Sequence, residues 1–162
     1  MEDKQLLMEN KIKEIIKLLA GEDRRNDVEK MMQPYFVRCN YEEKSLTIGY
    51  DVAEWELNPQ GVMHGGMITT AFDNAFGILT HFFAQESFIT TVELGVHFHK
   101  PVFLGDKIEI TVKANHLGRT LAGYTGELRV VNRDMLLADS ATTTFIILNG
   151  KTSEIFANKN NQ

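Results

Sequence analysis

The sequence predicts an α+β fold: an antiparallel sheet of five to six strands wrapped round one long central helix, with extra N-terminal helices. Three observations predict it. Residues 4–20 place apolar side chains every three to four positions. Residues 35–52 and 90–148 alternate apolar and polar side chains with the period of strands. Between those two blocks stands a mostly apolar run, about residues 67–83, whose spacing is helical.

Taken in order, Met8, Ile12, Ile15, Ile16 and Leu19 line one side of the first helix, with Lys and Glu between them. That is the pattern of an amphipathic cover. Gly21 is its expected stop, and Asp23 or Asn26 the expected cap of a short second helix carrying Val28, Met31 and Met32. Pro34 closes the helical period. Residues 35–39 read as a strand, and Leu46, Ile48, Tyr50 and Val52 as one face of the next, with Glu42-Glu43-Lys44 turning between them. A turn at Asn58-Pro59-Gln60-Gly61 leads through Met63 and His64 into Gly65-Gly66. The long helix follows, with Met67, Ile68, Ala71, Phe72, Ala75, Phe76, Leu79 and Phe82 at helical intervals and His81, Phe82 and Phe83 at its end. Apolar groups on nearly all its sides suit a helix buried inside the sheet.

Four strands come next. Val92, Leu94, Val96 and Phe98 are expected on one face of the first, with Thr91, Glu93, Gly95, His97 and His99 on the other. Leu104-Gly105-Asp106 turns into the alternation of Ile108, Ile110, Val112 and Ala114. Gly118-Arg119-Thr120 connects to residues 121–131, and Asn132-Arg133-Asp134 to the β-branched residues 136–148. Such short connections imply a meander. The chain divides into a helical extension (1–33), one domain (34–148) and a polar tail (149–162) that is expected to fray.

Composition narrows the function. A chain of 162 residues with 43% hydrophobic and 24% charged content is long enough for one real core. A net charge of −5 argues against nucleic acid as the partner. The single cysteine, Cys39, excludes an intrachain disulfide and reads as a small strand residue. The first residues lack the basic start and apolar core of a signal peptide, and no uncharged run reaches membrane-spanning length. A soluble, cytoplasmic protein without membrane partners is expected.

One residue in the long helix carries the functional expectation. An ionised Asp73 inside an apolar helix costs several kcal/mol unless it is paired, hydrogen-bonded or opened to a cleft. The helix also begins at Gly65, where unpaired N–H groups and the positive end of the helix dipole suit an oxyanion. Without a side chain, Gly65 lets a ligand approach the backbone closely. Eight residues separate Gly65 from Asp73, a rise of about 12 Å. If both act on one atom, two chains must share the site.

Asn58 through His64-Gly65-Gly66 to Asp73, then Thr91-Val92-Glu93-Leu94, Pro101, Gly105-Asp106 and Gly118-Arg119-Thr120, form one series over roughly residues 35–148. In that series the chain resembles the hotdog-fold acyl-CoA thioesterases, in their PaaI-like and THEM2-like branch. The resemblance implies hydrolysis of an aromatic or medium-chain acyl-CoA to free acid and CoA, without a metal and with no cofactor beyond the CoA of the substrate. It implies Asp73 as nucleophile or general base and the Gly65 N–H as the group polarising the thioester carbonyl. Asn58 would hold the attacking water or the carbonyl, Thr91 would bring a hydroxyl to the carboxylate, and His64 would support the loop and orient the substrate. On their chemistry, Arg119 and Lys100 suit either a charge-assisted bond to a CoA phosphate or plain exposed turn positions, and Gly66 is grouped with them as a CoA-binding residue. A homodimer with shared active sites, often a dimer of dimers, is implied as well.

Two departures stand out. Some relatives carry Thr or Ser one turn after the carboxylate, where this chain has Gly77, and some carry Glu in place of Asp73. Competing readings are a hotdog hydratase or dehydratase, which needs a histidine base paired with an acid, and an acyl-CoA sensor, for which a buried charge has no use. His97 and His99 lack the carboxylate or cysteine partner that a metal site needs. Trp55 and Met63 suit either an acyl pocket or plain packing.

Overall fold

The computed structural model describes residues 3–21, 27–85 and 87–151. The chain order is α1 (Lys4–Ala20), α2 (Val28–Met32), β1 (Tyr35–Asn40), β2 (Ser45–Asp51), α3 (Gly65–Ala84), β3 (Ser87–Phe98), β4 (Lys107–Leu117), β5 (Leu121–Val130) and β6 (Leu136–Lys151). Among the described residues the strands form a six-stranded antiparallel sheet, ordered β1-β2-β4-β5-β6-β3, around α3. This is the expected α+β hotdog architecture.

The N-terminal helices follow their sequence signals. Asp3 caps α1 by accepting from the Gln5 and Leu6 N–H groups, and Met8, Ile12 and Ile16 are buried. The Gln5 side chain ties α1 to the sheet: its amide donates to the Cys39 carbonyl at 2.9 Å and its oxygen accepts from the Tyr41 N–H at 2.8 Å. Cys39 is a half-buried strand residue whose thiol is pushed up in pKa by burial and by Glu9. The cap of α2 is Asp27, whose carboxylate accepts from the Lys30 N–H. Asp23 and Asn26 lie outside the described residues, as do residues 152–162 of the tail; β6 itself continues to Lys151.

Helix α3 has two faces rather than one continuous apolar surface. Ile68, Ala71, Phe72, Ala75, Phe76 and Leu79 are buried towards the sheet. Phe72 stacks on Phe76 with centroids 6.1 Å apart, and Phe76 packs on Tyr124 at 6.0 Å. Strand β5 approaches closely here, because a Cβ at Gly126 would lie 2.9 Å from the Phe76 ring. Asp73, Asn74, Gly77 and His81, by contrast, face a groove closed on its far side by α1.

Two further expectations are corrected. The four C-terminal strands do not form a continuous meander: β4, β5 and β6 do, but β3 pairs with β6 at the far edge of the sheet. Emerging from α3, the chain lays β3 there, and the 99–106 connection then carries it back to β4 beside β2. Short loops constrain neighbours only where the chain turns tightly, and this connection does not. It is fixed instead by Asp106, which accepts from the Phe103 N–H and from Arg133, both at 2.8 Å.

Strict alternation in β3 also fails. Its pairing with β6 shifts register between Thr91 and Glu93, leaving Val92 bulged out and 59% exposed. The extra residue resets the faces. Thr91 therefore points at α3 from the same side of the sheet as Leu94 and Val96.

Candidate active site

Asp73 lies at the middle of α3, half-buried at one end of the groove. The Thr91 hydroxyl donates to its Oδ1 at 2.8 Å, a bond the β3 bulge makes possible. Next to it, the Asn74 amide reaches the Met32 sulfur at 3.8 Å, which links the site to α2. The groove encloses about 1510 Å³, walled by Leu7, Ile15, Leu18 and Leu19 of α1 and floored by Ile89 and Phe145. Burial holds His81, two turns past Asp73, below its ordinary pKa and so towards its neutral form.

The start of α3 is built by the loop before it. Asn58 folds onto its own turn, with Oδ1 accepting from Gln60 N–H at 2.9 Å and Val62 N–H at 3.3 Å. Gly61 closes that turn with a φ of 78°. His64 is the N-cap: its Nδ1 accepts from the Gly66 N–H at 2.9 Å, which leaves the ring proton of the neutral form on Nε2. The N–H groups of Met67 and Ile68 both donate to the His64 carbonyl. One donor of the first turn remains. Among the described residues no acceptor meets the Gly65 N–H, and the Phe98 ring lies 3.3 Å from where a Gly65 Cβ would stand.

Gly65 does not open on the Asp73 groove. It lines a separate cavity of about 240 Å³ with Met63, Phe98, Lys100 and Asp139. Within one chain, then, the carboxylate and the open backbone donor face different spaces. Lys100 is exposed beside the Gly65 cavity, Gly66 has its N–H committed to His64, and Arg119 is exposed in the β4–β5 turn. That turn is tied to β6 through Ile147 N–H to the Thr120 carbonyl, on the sheet two strands from Thr90.

Met63 is 2% exposed and belongs to the core, whereas Trp55 is exposed and lines neither cavity. His97 and His99 stack with centroids 6.3 Å apart, and His99 bonds Ser140 at 3.0 Å. Among the described residues no three His, Cys, Asp or Glu side chains gather as metal ligands. No helix there is long and apolar enough to cross a membrane.

Asp139 is the residue that sequence reasoning missed. It is fully buried, and neither carboxylate oxygen finds a donor among the described residues. The nearby His99 N–H is engaged by the Ala138 carbonyl. Burial lifts the Asp139 pKa to about 6, a rise that the His99 N–H restrains. A lone Asp inside Leu136-Leu137-Ala138-Asp139 was the available signal.

The folded state therefore binds this proton more tightly than the unfolded chain. Its contribution is fully present below the ordinary value of 3.8 and is lost as pH rises through about 6. The difference is on the order of 3 kcal/mol. Between pH 4 and pH 8, denaturant titrations of Asp139→Asn are expected to lose less stability than wild type by about that amount. Parallel pH profiles for the two proteins would refute the assignment.

Comparison with known proteins bears on the family and the fold. Residues 60–146 match the family profile described as the thioesterase superfamily. Curated proteins of Caenorhabditis elegans and Deinococcus radiodurans that carry esterase names are 33% identical over 78 residues and 30% over 82 residues. These stretches take in 48% and 51% of this chain, and the chain spans about half the length of those relatives, 46% and 54%. Zebra fish thioesterase superfamily member 2 superposes with a TM-score of 0.74 at 21% identity, covering 86% of this chain and 97% of that one. The Escherichia coli PaaI protein of the phenylacetic acid degradation operon gives 0.69 at 18%, covering 86% and 98%. A Streptococcus mutans protein bound to acetyl-CoA gives 0.63 at 23%, covering 80% and 95%.

Proposed function

Because the chain belongs to the thioesterase superfamily, we propose that it hydrolyses acyl-CoA thioesters to the free acid and CoA. The observation that carries this reading is the Asp73 carboxylate, half-buried at the end of an apolar groove and held there by the Thr91 hydroxyl. A superposable protein holding acetyl-CoA supports the ligand class. Aromatic and medium-chain acyl groups are the candidates, and the cytoplasm is the proposed location. Residues 34–148 form the catalytic domain in this reading, with 1–33 as its helical extension.

As general base, Asp73 takes a proton from water while the water oxygen bonds to the thioester carbon. As nucleophile, its oxygen bonds that carbon directly, the CoA thiolate is expelled from the tetrahedral intermediate, and water then cleaves the resulting anhydride. Either route puts negative charge on the carbonyl oxygen. The uncommitted Gly65 N–H at the positive end of α3 is the donor suited to it. The C–S bond then breaks, and the CoA sulfur leaves as thiolate and is protonated.

Asp73 and Gly65 open on separate cavities of one chain, so the reading requires a homodimer in which each site takes Gly65 from one subunit and Asp73 from the other. A pair of such dimers is compatible with it. Strand β3 is an edge strand with Val92 and Phe98 exposed, a surface suited to a second copy. Asn58 and His64 shape the loop that presents Gly65. Exposed Lys100 and Arg119 offer charge for the CoA phosphates, and Gly66, whose N–H is held by His64, would line the CoA portion through its backbone.

The test is thiol release from a panel of aromatic and aliphatic acyl-CoAs. Turnover of one class is expected. Tight acyl-CoA binding with no thiol release from any member would replace the enzyme reading with that of an acyl-CoA sensor.

A further inference from the structure

Resting on the thioesterase reading, the geometry points to an acyl chain lying lengthwise between α1 and α3, with Gly77 setting how far it extends. Linear aliphatic acyl-CoAs of medium to long chain are then the substrate class, rather than small aromatic ones. Gly77 lies one turn beyond Asp73 on the same side of α3, and a Cβ built there meets no atom within 4 Å. The open space over Gly77 is continuous with the carboxylate, because both residues line the same groove.

From Asp73 to Gln85, both at the groove, α3 rises about 18 Å. An extended chain advances about 3.5 Å for every three bonds, so that length takes on the order of fifteen bonds. A single aromatic ring would fill the first turn and leave the rest empty. The walls suit the alkyl occupant: Leu18 and Leu19 on α1, Ile78 and Phe82 on α3, Ile89 and Phe145 on the sheet. Leu18 is 68% exposed on the α1 wall of the groove, where an acyl chain would cover it. The α1 helix is thereby part of the binding site and not only a cover.

The experiment pairs binding with turnover. Binding is measured by calorimetry with CoA and with its dodecyl thioether, which cannot be hydrolysed. Turnover is measured on acetyl- and dodecanoyl-CoA. The variants are Gly77→Val, which fills the open space and gains helix propensity, and Leu18→Glu, which charges the α1 wall without touching α3.

Wild type is expected to bind the thioether at least about tenfold tighter than CoA, the scale of discrimination that apolar pockets reach. Both variants are expected to erase most of that margin and to lower kcat/KM for dodecanoyl-CoA by a similar factor. Acetyl-CoA turnover is expected to fall by a smaller factor, because a two-carbon acyl group extends less far along the groove. Acyl-CoA hydrolysis with no binding margin, or with a margin that Gly77→Val leaves intact, overturns the inference while the thioesterase reading stands. A margin that Gly77→Val erases, in a protein that hydrolyses nothing, keeps the groove and refutes the thioesterase. Loss in Gly77→Val but not in Leu18→Glu overturns the part given to α1.

Discussion

Asp73→Asn is expected to lower kcat for acyl-CoA hydrolysis by about 10² to 10⁴, the range for a positioned proton-transfer or nucleophilic group, with little change in acyl-CoA affinity. The substitution isolates chemistry from structure. Asn has nearly the shape of Asp, and its side-chain oxygen can still accept the Thr91 hydroxyl now 2.8 Å from the carboxylate. The groove, its apolar walls and the α3 backbone are left as they are. What is lost is a charge able to take a proton from water or to attack carbon. Thiol release and calorimetry on the same preparations separate the outcomes. A fall in kcat with an unchanged Kd assigns the chemistry to Asp73. An unchanged kcat removes Asp73 from the reaction, and a collapse of binding makes it a substrate-holding group instead.

The sequence was most legible where a single periodicity governs. Met8, Ile12 and Ile16 in α1, and the alternation of Ile108, Ile110 and Val112 in β4, are buried as their spacing requires. The α3 boundaries were equally accessible, because His64 and Gly65-Gly66 carry start signals that depend on local hydrogen bonds. Features that depend on distant pairing were hidden. The bulge at Val92 is a mismatch between β3 and β6, written in neither strand alone, yet it decides that Thr91 meets Asp73. The place of β3 at the sheet edge depends on where α3 releases the chain, which periodicity does not encode. Nor does the sequence around Asp139 show how deeply that residue sits. Its burial comes from what packs over it: the 98–102 connection and the first turn of α3.

The same geometry makes a prediction that no single-chain site can satisfy. Gly65 is the first residue of α3, and proline there removes only an N–H that meets no acceptor within the chain. His64 already has the extended conformation that precedes proline, with φ −61° and ψ 134°. The neighbouring Phe98 ring is 3.3 Å from a side chain built at Gly65, so a shift of a few tenths of an ångström admits the proline ring. Gly65→Pro is therefore expected to fold and to lose about 10² to 10³ in kcat, the cost of one oxyanion donor. Mixed with Asp73→Asn under conditions that exchange subunits, it should regain activity. Half of the randomly formed dimers then carry one of each variant. One of their two sites unites an intact Gly65 with an intact Asp73, so the mixture reaches about a quarter of wild-type activity. If each chain held its own complete site, every site in the mixture would lack one group and none would recover. The recovered fraction, measured as thiol release against subunit ratio, thus decides whether α3 of one subunit supplies the donor for the carboxylate of the other.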